Sequence, residues 1–347
     1  MKEEGSVARL EFCPVPFENF EVLWNGDVYL CCSAWVPFPI GNLKKQTARS
    51  IWNSQTAAAI RKSVLDGDYR FCDLEYCAYF KSGALPEKGA VEDPYLREVI
   101  RSGITRLARG PARLTLDIDR TCNLCCPSCR TAPFMLKGGD YREALLMQNK
   151  LRDELLGDIR LMTVSGSGDP FASKLHMELL AGLDYRQYPK LKIQIMTNGL
   201  LFTPDNWIKI SRAHRLVKNV IVSIDAATPE TYRTVRRGGD FGVLVKNLGF
   251  ISGLRKAGRL DRLEFHFVVQ LANYLEMKDF VALGRTFGAD LVSFSRLCNW
   301  GTFTPEEFKA RAVHLRDHPG HQIFLEILKD PAFRDPLVNM SSLSEFI

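Results

Sequence analysis

From residue 113 onward, short apolar runs rich in β-branched residues alternate with amphipathic stretches, and this alternation constrains the fold more than any other feature of the chain. The runs are RLTLDID at 113–119, DIRLMTVSG at 158–166, LKIQIMTNG at 191–199, VIVSIDA at 220–226, LEFHFVVQ at 263–270 and LVSFSRL at 291–297. Each reads as a buried strand, with helix-like segments between them. Strands joined through helices pair in parallel by right-handed crossovers, which gives an α/β class. Six units are too few to close an eight-stranded barrel, so a partial (β/α)6 TIM-like barrel is expected. An open doubly wound sheet is the alternative, and in both arrangements ligands gather at the carboxyl ends of the strands.

At 347 residues the chain is long enough for about two domains. Residues 82–112 contain KSGALPEKGAVEDP and ITRLARGPAR, where glycine, proline and charge interrupt any apolar periodicity. The expected organisation is a small unit at 1–85, a linker at 86–112, the barrel at 113–302 and a helical and loop-like tail at 303–347. The small unit shows short strand signals around a turn at Trp24-Asn25-Gly26-Asp27, then a helical pattern through SIWNSQTAAAIRKSVLDG. A unit of roughly 80 residues has a marginal core, so a bound metal would contribute to its folding.

The formal charge of +6 comes without a long lysine/arginine block, and no apolar run reaches the length of a membrane span. Nucleic-acid and membrane partners are therefore not expected. The segment MKEEGSVARLEF lacks the apolar core of an export signal, which points to the cytoplasm. Ten cysteines in that compartment stay reduced and suggest metal ligation instead of disulfides. Cys13, Cys31, Cys32, Cys72 and Cys77 precede the expected linker, Cys122, Cys125, Cys126 and Cys129 follow it closely, and Cys298 stands alone.

The segment TCNLCCPSCR begins at the carboxyl end of the first parallel strand and offers Cys122, Cys126 and Cys129 at C-x3-C-x2-C spacing. A four-iron cluster normally takes four cysteines. Three leave one iron with an open position that a substrate can occupy. Zinc is disfavoured because zinc ribbons pair C-x2-C units. Cys125 breaks the register as a ligand and reads as a spare thiol.

These residues resemble the radical S-adenosylmethionine superfamily, whose motif has this spacing. The resemblance implies a [4Fe–4S] cluster that binds S-adenosylmethionine and reduces it to a 5′-deoxyadenosyl radical. Further landmarks follow in order over residues 113–300. Gly166, Ser167, Gly168 and Asp169 resemble the glycine-rich segment that meets the methionine amino group, with Asp169 in place of the commoner glutamate. Asn198, Ser223 and Asp225 end the third and fourth strands, where relatives contact the methionyl or ribose portion. Arg236 resembles the arginine that pairs with the cofactor carboxylate, and Arg237 is its neighbour and rival. Ser128 replaces a frequent aromatic residue, so adenine contacts are expected near Gln270 or the sixth-strand rim.

In the N-terminal unit, Cys13, Gly26 and Cys31 form C-x12-G-x4-C, which resembles the opening of the SPASM or twitch auxiliary-cluster domain. With Cys72 and Cys77 the resemblance implies four ligands for one auxiliary [4Fe–4S] cluster, Cys32 being an alternative to Cys31. A zinc-stapled fold could use the same thiols. Cys298, after the sixth strand, could donate a hydrogen atom as the cysteine of radical epimerases does. The expected reaction is thus epimerisation of a carbohydrate or natural-product intermediate, with a reducing partner such as flavodoxin or ferredoxin. Peptide oxidation or crosslinking, which SPASM relatives often perform, is the alternative, and a non-catalytic scaffold is the third reading. Glu264, His266, Asn299 and Trp300 read as packing residues.

Overall fold

The computed structural model describes residues 10–347. The first nine residues, which carry most of the segment read for export signals, lie outside the described residues. The chain divides into two compact units, residues 10–118 with 138–162 and residues 119–137 with 163–347. Among the described residues no helix is long and apolar enough to cross a membrane.

The first unit is built on four strands, β1 (Asn19–Leu23), β2 (Asp27–Tyr29), β3 (Gly41–Asn42) and β4 (Arg113–Asp117). β1 and β2 form an antiparallel hairpin and β3 adds to β2, while β1 pairs in parallel with β4 from Asn19↔Arg113 to Leu23↔Asp117. Gly26 closes the hairpin at φ +87°, and a Cβ there would lie 2.8 Å from Lys44 Cγ and 2.9 Å from Asn42 Oδ1. Only glycine tolerates both the left-handed backbone and that approach. Asn42 secures the turn from β3, donating to Asp27 Oδ1 at 2.8 Å.

Phe12, Phe17, Phe20, Val22, Ile51 and Trp52 form the apolar core of this unit. Arg61 is fully buried beneath them; it donates to Pro16 O at 2.9 Å and Thr105 O at 3.0 Å and stacks 4.2 Å from the Trp52 ring centroid. The helical pattern after residue 47 divides into Ala48–Trp52 and Gln55–Asp66, because Ser54 caps a new helix by accepting from Ala57 N. The segment read as a linker holds a further helix, Pro94–Ser102, with Asp93 as N-cap, Pro94 at its first turn and Gly103 left-handed at its end. The helix Gly138–Glu154 also belongs here: Lys44 pairs with Glu143 at 2.8 Å, and Lys150 donates to Leu43 O at 2.8 Å.

β5 (Leu161–Val164) follows that helix. In the second unit β6 (Lys192–Thr197), β7 (Val217–Ser223), β8 (Arg262–Val269), β9 (Leu291–Arg296) and β10 (Val338–Asn339) lie side by side in that order, all parallel. The expected alternation of strand and helix is present, with parallel strands and helical connections. β10 is an addition from the tail. One face of these strands is apolar: Val220, Val222, Phe265, Phe267, Val292 and Phe294 are wholly buried. Phe267 meets Phe280 of the helix Met277–Phe287 at 4.7 Å, and Phe294 meets Phe333 at 5.8 Å. Each such phenylalanine stabilises the unit by about 1.5–3 kcal/mol through burial. The opposite face carries Gln194, Ser223 and His266, and it leads to the site.

Candidate functional site

Cys122, Cys126 and Cys129 line a single cleft in the second unit, with an empty volume of about 460 Å³ open to solvent. Cys125 does not line it; its amide donates to Arg237 O at 3.0 Å and its thiol faces Arg130 O at 3.7 Å. The chain turns between Cys126 and Arg130, with Cys129 N donating to Cys126 O at 2.9 Å, so the second and third sulfurs fall on one side. Each sulfur meets a donor. Leu124 N reaches Cys122 at 3.4 Å and Asn198 Nδ2 reaches it at 3.7 Å. Arg130 lies 3.4 Å from Cys129, and Arg236 lies 3.9 Å from Cys126.

Burial pushes the Cys122 thiol up to about 11, and it raises Cys126 against the lowering field of Arg236. Such thiols are neutral until a cationic centre arrives, whereupon it displaces their protons to solvent. The donors at 3.4–3.9 Å then suit sulfur that has become negative. Three sulfurs on one open cleft fit a cluster held at three corners.

The glycine-rich segment is laced to the cysteine loop. A Cβ on Gly168 would stand 2.6 Å from Thr121 O and 2.7 Å from Asp119 O, so this glycine exists for backbone contact. Ser165 before it takes φ +71°, and its hydroxyl accepts from Gly168 N at 3.2 Å. Gly166 and Ser167 line the cleft, as do Asn198 and Ser223. Asp169 faces inward instead. One carboxylate oxygen accepts from Thr197 Oγ1 at 2.7 Å and Asn198 N at 2.9 Å, and the other accepts from Phe171 N at 3.0 Å. It ties the end of β6 to the loop after β5 and is not among the residues lining the cleft.

Asp225 also works through other residues. It takes φ +62°, accepts from Val268 N at 2.8 Å and pairs with Arg236 at 2.8 Å. Burial alone would lower the Arg236 guanidinium, but Asp225 and Cys126 outweigh it and hold the charge. Arg236 lines the cleft, and Arg237 does not. The sequence reading missed Arg130, which donates to Arg120 O at 2.6 Å and also to Ser167 O, bridging the cysteine loop and the glycine-rich segment beside Cys129. Its position directly after the third cysteine was the available signal. Cys298 lies outside the cleft lining; its thiol approaches Arg296 O at 3.9 Å, and burial raises its pKa.

In the first unit, Cys13, Cys31 and Cys77 are buried and Cys72 is half-buried. Burial pushes Cys13 up to about 12, with Cys72 and Cys77 adding to the shift, and burial with Cys77 does the same for Cys72. Cys31 is raised well above the usual thiol by burial, then by Cys13, Cys32 and Cys77. The four thiols therefore share one neighbourhood, in which a bound cationic centre would favour their thiolate forms. Among the described residues no three His, Cys, Asp or Glu side chains close around a single metal ion. One zinc draws sulfurs to about 2.3 Å from itself, whereas a four-iron cluster takes each sulfur on a different iron corner and so holds them farther apart.

Residues 13–78 match the SPASM family, an iron–sulfur cluster-binding domain. The chain is 26% identical over 185 residues to the mycofactocin maturase MftC of Mycobacterium ulcerans (strain Agy99), covering 52% of this chain and 46% of that protein. It thus spans about half the length of the curated relatives it matches. Among solved structures it is similar to Streptococcus suis SuiB bound to S-adenosylmethionine, with a TM-score of 0.45 and 13% identity over 71% of this chain and 49% of that one. SuiB bound to the precursor peptide SuiA gives a TM-score of 0.43 and 12% identity over 72% and 55%. The SPASM match assigns an iron–sulfur cluster to residues 13–78, and with the maturase relatives and the three-cysteine cleft it supports the resemblance of this chain to radical S-adenosylmethionine enzymes, whose cofactors are [4Fe–4S] clusters and S-adenosylmethionine.

Proposed function

We propose that the chain modifies a peptide by hydrogen-atom abstraction. The observation that carries this reading is the convergence of Cys122, Cys126 and Cys129 with Gly166, Asn198 and Ser223 on one cleft, in a chain whose sequence relatives are maturases. When bound, the cluster and S-adenosylmethionine supply a 5′-deoxyadenosyl radical, the cofactor's own chemistry. The chain holds and orients. Cys122, Cys126 and Cys129 ligate, Leu124 N, Asn198, Arg130 and Arg236 donate towards their sulfurs, and Gly166 and Ser167 expose backbone to the methionyl end. Ser223 offers a hydroxyl on the same face. Cys13, Cys31, Cys72 and Cys77 hold the auxiliary cluster; Cys31 is preferred to Cys32 because it is buried within the field of Cys13 and Cys77. A reducing protein of the flavodoxin or ferredoxin kind supplies electrons.

Peptide modification replaces the expected epimerisation of a carbohydrate. The relatives are maturases, and Cys298 does not line the cleft. The test is anaerobic reconstitution with iron and sulfide, then S-adenosylmethionine and dithionite with either a perdeuterated peptide digest or a perdeuterated sugar pool. Deuterium in 5′-deoxyadenosine from the peptides alone supports the reading. Deuterium from sugars alone would reinstate the carbohydrate substrate, and no 5′-deoxyadenosine at all would defeat the enzymatic reading.

A further inference from the structure

A second cleft in the second unit has no part in the cofactor site. Its empty volume is about 700 Å³, open to solvent, and it is lined by Arg186, Arg212, Arg215 and Arg259 with Tyr185 and His214. These residues precede β6, β7 and β8, three neighbouring parallel strands, so the cleft sits at their amino ends. Asn198 and Ser223, which line the cofactor cleft, sit at the carboxyl ends of β6 and β7. Strands of six to eight residues separate the two ends by about 20 Å.

Four guanidinium groups share this rim, and all four arginines are exposed. The lining contains one carboxylate, Asp184, which lies 3.5 Å from Arg212 and accepts from Arg186 N at 2.9 Å. Arg215 stacks 4.5 Å from the Tyr185 ring centroid and Arg186 lies 5.9 Å from it. Arg186 also hydrogen-bonds Tyr185 and shares the charge of Asp184 with Arg212, while Arg215 and Arg259 have no ion pair among the described residues. Four guanidinium groups against one carboxylate leave an excess of positive charge on this rim, and that focus favours an anionic ligand. Planar guanidinium forks match carboxylates in pairs. Charges on three separate loops suit a ligand that carries several anionic groups along its length.

We infer that this cleft binds an acidic segment of a peptide, several carboxylates long, remote from the residue to be modified. Assigning that segment to the substrate rests on the peptide reading above; the binding itself does not. Holding a recognition segment at one site raises the effective concentration of the same chain at another.

The test measures fluorescence anisotropy of a labelled hexaglutamate peptide with the reconstituted protein in low salt. The Arg186→Gln, Arg215→Gln, Arg259→Gln triple variant should weaken binding at least about tenfold. A triple Arg97→Gln, Lys246→Gln, Lys309→Gln control, drawn from exposed cations elsewhere, should leave it within about twofold. Matching circular dichroism and melting curves would establish that both variants fold. Equal binding of hexaglutamine, an unchanged affinity in the first variant, or stronger binding of inorganic phosphate or a hexadeoxynucleotide would overturn the inference. The peptide reading fails separately, through the deuterium-transfer assay.

Discussion

Replacing Arg236 by methionine removes the counter-charge of Asp225 while keeping most of the side-chain volume. The pair is 2.8 Å apart with side chains 12% and 4% exposed, so Asp225 has little water to turn to. With an effective dielectric near 20, the attraction is about 6 kcal/mol at that distance, before either charge's lost hydration is subtracted. A buried charge left alone typically costs about 3–5 kcal/mol. Asp225→Asn should cost less on its carboxylate side, because an amide oxygen can still accept from Val268 N, but it leaves Arg236 without its partner. The double variant should therefore lose at least about 2 kcal/mol less than the sum of the singles, the mark of coupled neighbours. Urea unfolding of the apoprotein under reducing conditions measures this, with a midpoint shift of roughly 1–2 M for Arg236→Met. Additive singles, or a cost below about 1 kcal/mol for Arg236→Met, would refute the argument that this arginine is held by charge pairing.

Three further outcomes follow from the structure. Gly168→Ala should destabilise by about 1–3 kcal/mol and reduce iron loading, since its methyl meets two carbonyl oxygens of the cysteine loop; normal loading and melting temperature would contradict this. His176 is fully buried with neither ring nitrogen bonded, and burial holds it down at about 4. Its folded pKa is depressed, so its contribution is complete above the unfolded value near 6.5 and declines as pH falls towards 4, by about 3 kcal/mol. His176→Leu should flatten that part of the pH–stability curve, and an unchanged slope would refute the assignment. Cys298→Ala should leave 5′-deoxyadenosine formation within about twofold, because the thiol is outside the cofactor cleft; a loss beyond tenfold would place it in the cofactor machinery.

The parallel strands were legible because their apolar faces repeat at period two and end in polar turns. Observed ends fall within a few residues of the apolar runs, as for Leu291–Arg296 in the run at 291–297. Non-local partnerships were not legible. Nothing in NFEVL or RLTLD marks them as mates, and the pairing of β1 with β4 joins residues almost a hundred positions apart. The helix Pro94–Ser102 carried its own signals, an Asp-Pro start and a glycine stop, but the surrounding charge hid them. In the site, the spacing favoured Cys126 over Cys125, and Cys126 lines the cleft where Cys125 does not. It could not distinguish residues that touch the cleft from those that hold its walls: Asp169 and Asp225 have the chemistry of cofactor contacts, yet their carboxylates are occupied by Thr197, Asn198, Val268 and Arg236.

Iron analysis with electron paramagnetic resonance on anaerobically reconstituted variants tests the central claim most directly. The intact chain should bind about eight iron atoms, two clusters of four. The Cys122→Ala, Cys126→Ala, Cys129→Ala variant should retain about four iron atoms and lose the signal that S-adenosylmethionine perturbs. Substituting Cys13, Cys31, Cys72 and Cys77 should remove the other four or so and keep that perturbation. Zinc in place of iron at the three-cysteine loop, or a signal blind to S-adenosylmethionine in the intact chain, would contradict the account.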